Sequence, residues 1–182
     1  MEWSAQQEKA LGLVAAWIAE PGGPQVFRLF GYAGTGKTTL ARHIADGVDG
    51  EVKFAAFTGK AALVMRNKGC DGASTIHSLI YRARESGVEQ PSFELWDDAP
   101  ASKAKLIVID ECSMVDADLG RDLMSFDCPL LVLGDPAQLP PSQGSQWDDV
   151  VLFDESFAFG ESRGRWLYTG ITRAAKRLSV VV

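Results

Sequence analysis

The sequence predicts an α/β fold, with a mainly parallel sheet flanked by helices, on three observations. Apolar runs recur at 26–30, 52–57, 106–109, 130–133, 150–153 and 178–182, three of them unbroken and the others interrupted by a single polar residue, as strands covered on both faces require. Other segments carry apolar residues at helical spacing, so strands and helices alternate along the chain. A glycine-rich loop joins the first strand directly to a helix.

Taken in order, Ser4 and Gln7 have the spacing of a capping box, and Ala10, Leu11, Val14, Trp17 and Ile18 then recur on one helical face. Pro21, Gly22, Gly23 and Pro24 stop that helix. The strand at 26–30 runs into the glycine loop, and the helix after it reaches about Ala45. Residues 82–103, with Gly87, Pro91 and Pro100, show no clean period and read as a loop or small surface insertion. Near the end, Leu167, Ile171, Ala174 and Leu178 fall on one face of a helix expected to join the last two strands. No internal repeat or low-complexity tract interrupts the chain.

The composition is that of an ordinary folded domain. The 182 residues suffice for one core without disulfides or a structural metal, and 46% hydrophobic with 23% charged residues excludes the disordered class. No apolar run approaches the roughly 20 residues of a membrane span, and the first residues lack the basic-then-apolar layout of a signal peptide. A cytoplasmic protein without a membrane partner is expected. Cys70, Cys112 and Cys128 form no CxxC pair and are expected as reduced thiols without zinc. The net charge of −6 means that any nucleic-acid contact must rest on a local cluster of cations.

The chemistry is concentrated in two strings. Gly31 to Thr38 matches the P-loop pattern GxxxxGK[ST] without a mismatch. Its backbone N–H groups can turn towards phosphates, which assigns Gly31, Ala33, Gly34, Thr35, Gly36, Lys37, Thr38 and Thr39 to nucleotide binding. Lys37 reaches the β/γ oxygens and Thr38 can ligate Mg²⁺. In the second string an apolar strand at 106–109 ends in Asp110 and Glu111, at the edge where α/β sheets hold ligands. Asp110 is expected to hold Mg²⁺, and Glu111 to polarise the attacking water. Together they predict a P-loop site that binds and hydrolyses ATP with Mg²⁺.

With these residues in place, the chain resembles the superfamily-one DNA helicases, in particular the RecD/Dda-like group that moves 5′ to 3′, over nearly all its length. The resemblance implies a RecA-like motor domain with single-stranded DNA as partner, and replication or recombination proteins as further partners. Gln7 with Ala10 is similar to the Q motif, whose glutamine reads adenine; alternatively Gln7 only closes the helix cap. Phe57, Thr58, Gly59 and Lys60 resemble motif Ia, and Ser74, Thr75, Ile76 and His77 the next DNA-contacting segment. Thr58, Lys60 and His77 then become DNA-phosphate contacts, against the plainer reading of His77 as a cap or core partner.

The string from Leu133 to Pro141 resembles motif III, implying that Gln138 senses the γ-phosphate. Gln143 to Asp148 resembles motif V, with Ser145 on DNA, and Tyr168 to Ala174 resembles motif VI. Arg173 matches the family's arginine finger, unless it belongs to a solvated basic face with Arg165, Lys176 and Arg177.

One departure limits the expected function. In full-length relatives a long stretch separates motifs III and V, whereas here Pro141 is followed at once by Ser142, Gln143 and Gly144. The chain thus resembles a helicase with its middle removed. Residues 1–141 are expected to form the ATP-binding motor domain and 142–182 a remnant of the second, packed onto the same sheet. Two readings stay open, a helicase or its ATPase motor core, and an ATP-binding P-loop module without unwinding activity.

Overall fold

The computed structural model describes residues 2–32, 34–84, 93–135, 147–153 and 174–181. Helix α1 (Ala5–Ala19) begins where its sequence signal places it, with both halves of the Ser4–Gln7 capping box formed. It ends ahead of the Pro21–Pro24 turn, where the Trp17 indole N–H donates to the Pro24 carbonyl at 2.6 Å. Strand β1 (Val26–Phe30) then leads through the glycine loop into α2 (Lys37–Asp46).

The next elements are β2 (Val52–Ala56), α3 (Gly59–Asn67), the two-residue strand β3 (Ser74–Thr75) and the short helix α4 (Ile76–Ile80). A small hairpin follows, in which β4 (Tyr81–Ala83) pairs antiparallel with β5 (Phe93–Leu95), and a 3-10 turn over Pro100–Lys103 returns the chain to the sheet. The insertion expected at 82–103 therefore carries regular structure. Three-residue strands are too short for a period-two pattern to register in the sequence.

Strand β6 (Leu106–Asp110), helix α5 (Ala117–Met124) and β7 (Leu130–Gly134) complete the centre, and β8 (Trp147–Phe153) and β9 (Ala174–Val181) extend one edge. Together they form a seven-stranded sheet in the order β3-β2-β6-β7-β1-β8-β9, with every neighbouring pair parallel.

Successive residues of a strand face opposite sides, and the central strands serve two cores at once. Leu106 and Val108 pack with Phe27, Leu29, Leu131 and Leu133 beneath α1, α2 and α3. Ile107 and Ile109 pack with Leu130 and Val132 against α4 and α5. This double burial is the physical reason for the unbroken apolar runs. Because the strands are parallel, Phe30, Ala56, Asp110 and Gly134 all end at one edge, with Phe30 in register with Gly134 and Ala56 with Asp110.

The end of the chain corrects one expectation. Ala174 and Leu178, read as one face of a helix, lie on β9, which pairs with β8 from Trp147↔Ala174 to Phe153↔Val181. The helical spacing rested on few residues. Pairing with the sheet edge, available only in the folded chain, extends the valine-rich end backwards through Ala174. Leu167 and Ile171 lie outside the described residues. No helix among the described residues is long and apolar enough to cross a membrane.

Candidate nucleotide site

The loop between β1 and α2 holds its shape through the two residue types the motif requires. Gly34 (φ 89°) and Gly36 (φ 83°) adopt left-handed backbone, which an L side chain resists. Gly36 caps α2 without a side chain, leaving the helix's first N–H groups facing the cleft. The Thr35 hydroxyl donates to the Tyr32 carbonyl at 2.9 Å, while the Gly31 N–H donates to the Gly134 carbonyl at 3.1 Å and ties the loop to β7. The Lys37 ammonium folds back onto the carbonyls of Gly31 and Tyr32.

Opposite this loop stands the end of β6. The hydroxyl of Thr38, itself buried, donates to Asp110 Oδ2 at 3.3 Å, and the Glu111 N–H donates to Asp110 Oδ1 at 2.9 Å. Both oxygens of Asp110 are thus oriented by named donors. Glu111 is exposed and has φ 56° and ψ 47°, left-handed geometry that costs a non-glycine residue on the order of 1–2 kcal/mol.

A cleft of about 370 Å³ joins these parts. Gly34, Gly36, Lys37, Thr38 and Thr39 line one side, and Asp110, Glu111 and Asp135 the other. The third wall is Ala61 and Val64 of α3 with Lys68 at its C-cap; Ala61 falls in the string that resembles motif Ia, whereas Val64 and Lys68 were not marked by any sequence signal. Asp135 was legible in principle, as a carboxylate that follows an apolar strand just as Asp110 does.

Gln7 closes the helix cap, as one of its two readings held, and makes a second contact besides. Its Oε1 accepts from the Ser4 N–H at 3.0 Å in the capping box, and its Nε2 donates to the Thr35 carbonyl at 3.2 Å in the glycine loop. The helix cap and the loop are thereby linked through one amide.

Of the residues expected on DNA, Thr58, Lys60 and His77 lie apart from the cleft lining. The Thr58 hydroxyl caps α3, accepting from the Ala61 N–H at 3.1 Å, while Lys60 is exposed in its first turn. His77 is exposed on α4, with its ring 6.0 Å from Phe57 and 5.7 Å from Tyr81. Ala33, Gln138, Ser145 and Arg173 lie outside the described residues.

The three cysteines are free thiols, with Cys70 and Cys128 buried and Cys112 half-buried beside Asp110. Burial pushes each thiol up to about 11, and at Cys112 the Asp110 carboxylate adds to the rise while Arg28 opposes it.

A P-loop with its lysine, a hydroxyl and a carboxylate in contact behind it, and a second carboxylate beside them are arranged for a phosphorylated ligand. A family model described as AAA domain matches residues 4–179. The chain belongs to the AAA domain family. It is also similar to the ATP-dependent DNA helicase dda of Enterobacteria phage T4, at 31% identity over 118 residues, which cover 61% of this chain and 27% of that relative.

Among solved structures, it is similar over its whole length to Bacteroides Pif1 bound to single-stranded DNA, with a TM-score of 0.56 and 20% identity over 42% of that chain. The Bacteroides Pif1 helicase in complex with ADP-AlF3 and single-stranded DNA gives 0.55 and 22% identity, again over 42% of that chain. At these identities the likeness establishes the fold, a RecA-like sheet with a P-loop. The chain spans about a quarter of the helicase relative and under half of the solved chains.

Proposed function

We propose that the chain is the ATP-hydrolysing motor core of an ATP-dependent DNA helicase. The observation that carries this reading is the Thr38–Asp110 contact beside the P-loop, which brings together the two halves of a phosphoryl-transfer site. The phage T4 relative, an ATP-dependent DNA helicase, supports the same reading.

In this reading the backbone of residues 31–36 and the N-terminus of α2 bind the phosphates, with Lys37 leaving its loop carbonyls for the β/γ oxygens. The Thr38 hydroxyl and Asp110 carboxylate are hard oxygen donors that suit Mg²⁺. When bound there, the metal neutralises charge on the phosphates. Glu111, exposed in the cleft lining, accepts a proton from the attacking water. Gln7 reads the base at the cost of its bond to Thr35. Gln138 as phosphate sensor and Arg173 as finger belong to the same proposal. Single-stranded DNA is placed on Thr58, Lys60, His77 and Ser145, where exposed Lys60 supplies a local cation in a chain of net charge −6.

The second reading, an ATP-binding module without unwinding activity, is favoured by the direct join of Pro141 to Ser142, which leaves no room for a second motor domain between the strings that resemble motifs III and V. Steady-state ATPase of the purified chain with and without single-stranded DNA separates the two. Stimulation by DNA supports the motor core; turnover that ignores DNA supports the binding module.

A further inference from the structure

We propose that Lys68 is a second cation of the phosphate site and holds the terminal phosphate, so that it distinguishes a nucleoside triphosphate from a diphosphate. This deepens the nucleotide reading above and rests on it.

The placement follows from the order of the elements. On one flank the glycine loop is reached by α1, through Gln7. The opposite flank belongs to α3, which follows β2, the neighbour of the β6 strand that ends in Asp110. Lys68 therefore stands on the carboxylate and metal side, away from Gln7. Ala61, Val64 and Lys68 share one helical face, at spacings of three and four, and that face forms the cleft wall opposite Thr38 and Thr39.

One feature makes Lys68 more than a solvated helix-end lysine. Its ammonium is exposed and has no hydrogen bond or ion pair with a described residue, although the cleft it lines contains Asp110, Glu111 and Asp135.

Charge then supplies the reason for a ligand. Among the described lining residues, Lys37 and Lys68 are the two cations that phosphate oxygens can meet directly, while the carboxylates of Asp110, Glu111 and Asp135 repel them. The terminal phosphate adds the most negative charge on this side, and Lys68 has its three donors available for it.

The test is equilibrium binding to the purified chain of the magnesium complexes of ADP and of the non-hydrolysable β,γ-imido analogue of ATP. The variants are Lys68→Ala, Lys68→Arg and, as a control for general charge, Arg42→Ala. Arg42 is an exposed cation that lies against Gly69 and does not line the cleft. Lys68→Ala should weaken the analogue by about tenfold and ADP by less than about twofold, the scale of one charge-assisted contact. Lys68→Arg should restore most of the difference, and Arg42→Ala should leave both affinities unchanged.

Equal loss of both ligands in Lys68→Ala, no loss of either, or the same discriminating loss in Arg42→Ala overturns the assignment. A cooperative melting transition in each variant shows that the fold is retained. Failure of the unmodified chain to bind either nucleotide sinks the nucleotide reading and this inference with it, whereas normal binding without discrimination at Lys68 removes this inference alone.

Discussion

The Thr38 hydroxyl donates to Asp110 Oδ2 at 3.3 Å and so joins chain segments 72 residues apart at the foot of one cleft. Neither residue is informative alone. Their contact exists because β6 and β1 run parallel with β7 between them, so that both strands end at one edge.

Replacing Lys37 by alanine should lower ATP turnover by at least the ~10²-fold typical of losing a group that stabilises developing charge. The bonds in which the ammonium is seen are to Gly31 and Tyr32 carbonyls of the loop itself, so the melting transition should stay cooperative. Turnover and thermal unfolding of the same preparation check both halves. Unchanged turnover would mean that the glycine loop is not the catalytic site.

Glu111→Gln should keep nucleotide affinity while turnover falls, because the amide preserves shape and loses the proton acceptor. Binding and single-turnover assays would separate the two quantities. A parallel loss of both would assign Glu111 to nucleotide support instead. Glu111→Gly should lose turnover too, yet stay within about 1 kcal/mol of the parent in stability, since glycine accepts φ 56° without strain.

Gly134→Ala should destabilise the chain by about 1–3 kcal/mol through overpacking. A Cβ at Gly134 would fall on the Phe30 ring and lie 3.4 Å from Cys112 Sγ. Chemical denaturation measures the loss, and adding Phe30→Leu to the same chain should recover part of it. No recovery would place the strain somewhere other than that ring.

Alkaline pH should destabilise the fold. Cys70, Cys112 and Cys128 are raised from 9.0 to about 11 chiefly by burial, and Tyr81 from 10.0 to about 12 by burial and its hydrogen bond to Asp122. An unfolded chain releases these protons first. The stability they contribute is complete below pH 9 and is lost as pH rises from 9 towards 11 and 12. Urea midpoints at pH 8 and pH 10 under reducing conditions test the sign, and a higher midpoint at pH 10 would contradict it.

The isolated chain should bind ATP·Mg²⁺ and fail to unwind a duplex with a 5′ single-stranded tail, because alternating grip on a strand needs two closing domains. Strand displacement is measured beside ATPase for the parent and Arg173→Ala. ATP-dependent unwinding by the monomer would overturn the single-motor reading. Loss of turnover on the order of 10³-fold in Arg173→Ala would show the arginine acting as a finger.

Much of the site was legible because its chemistry is local in sequence. Gly34, Gly36, Lys37 and Thr38 lie within a single turn of chain, and their spacing is itself the device that aims backbone N–H groups at phosphate. The Ser4–Gln7 cap and the apolar strands were readable for the same reason, since capping and double burial leave their pattern in adjacent residues. Sequence alone thereby determined the α/β class, the glycine loop and the acidic end of β6.

Tertiary structure decided what depends on residues far apart meeting. It gave Gln7 its second bond, to Thr35, and brought Lys68, at the end of α3, to the wall of the P-loop cleft, a placement that no motif announces. It also turned Ala174 and Leu178 from an expected helix face into a strand, because an open sheet edge satisfies backbone groups that a short helical period cannot foresee. A spacing rule reports what one segment can do by itself; which partner satisfies it is settled only when the whole chain has packed.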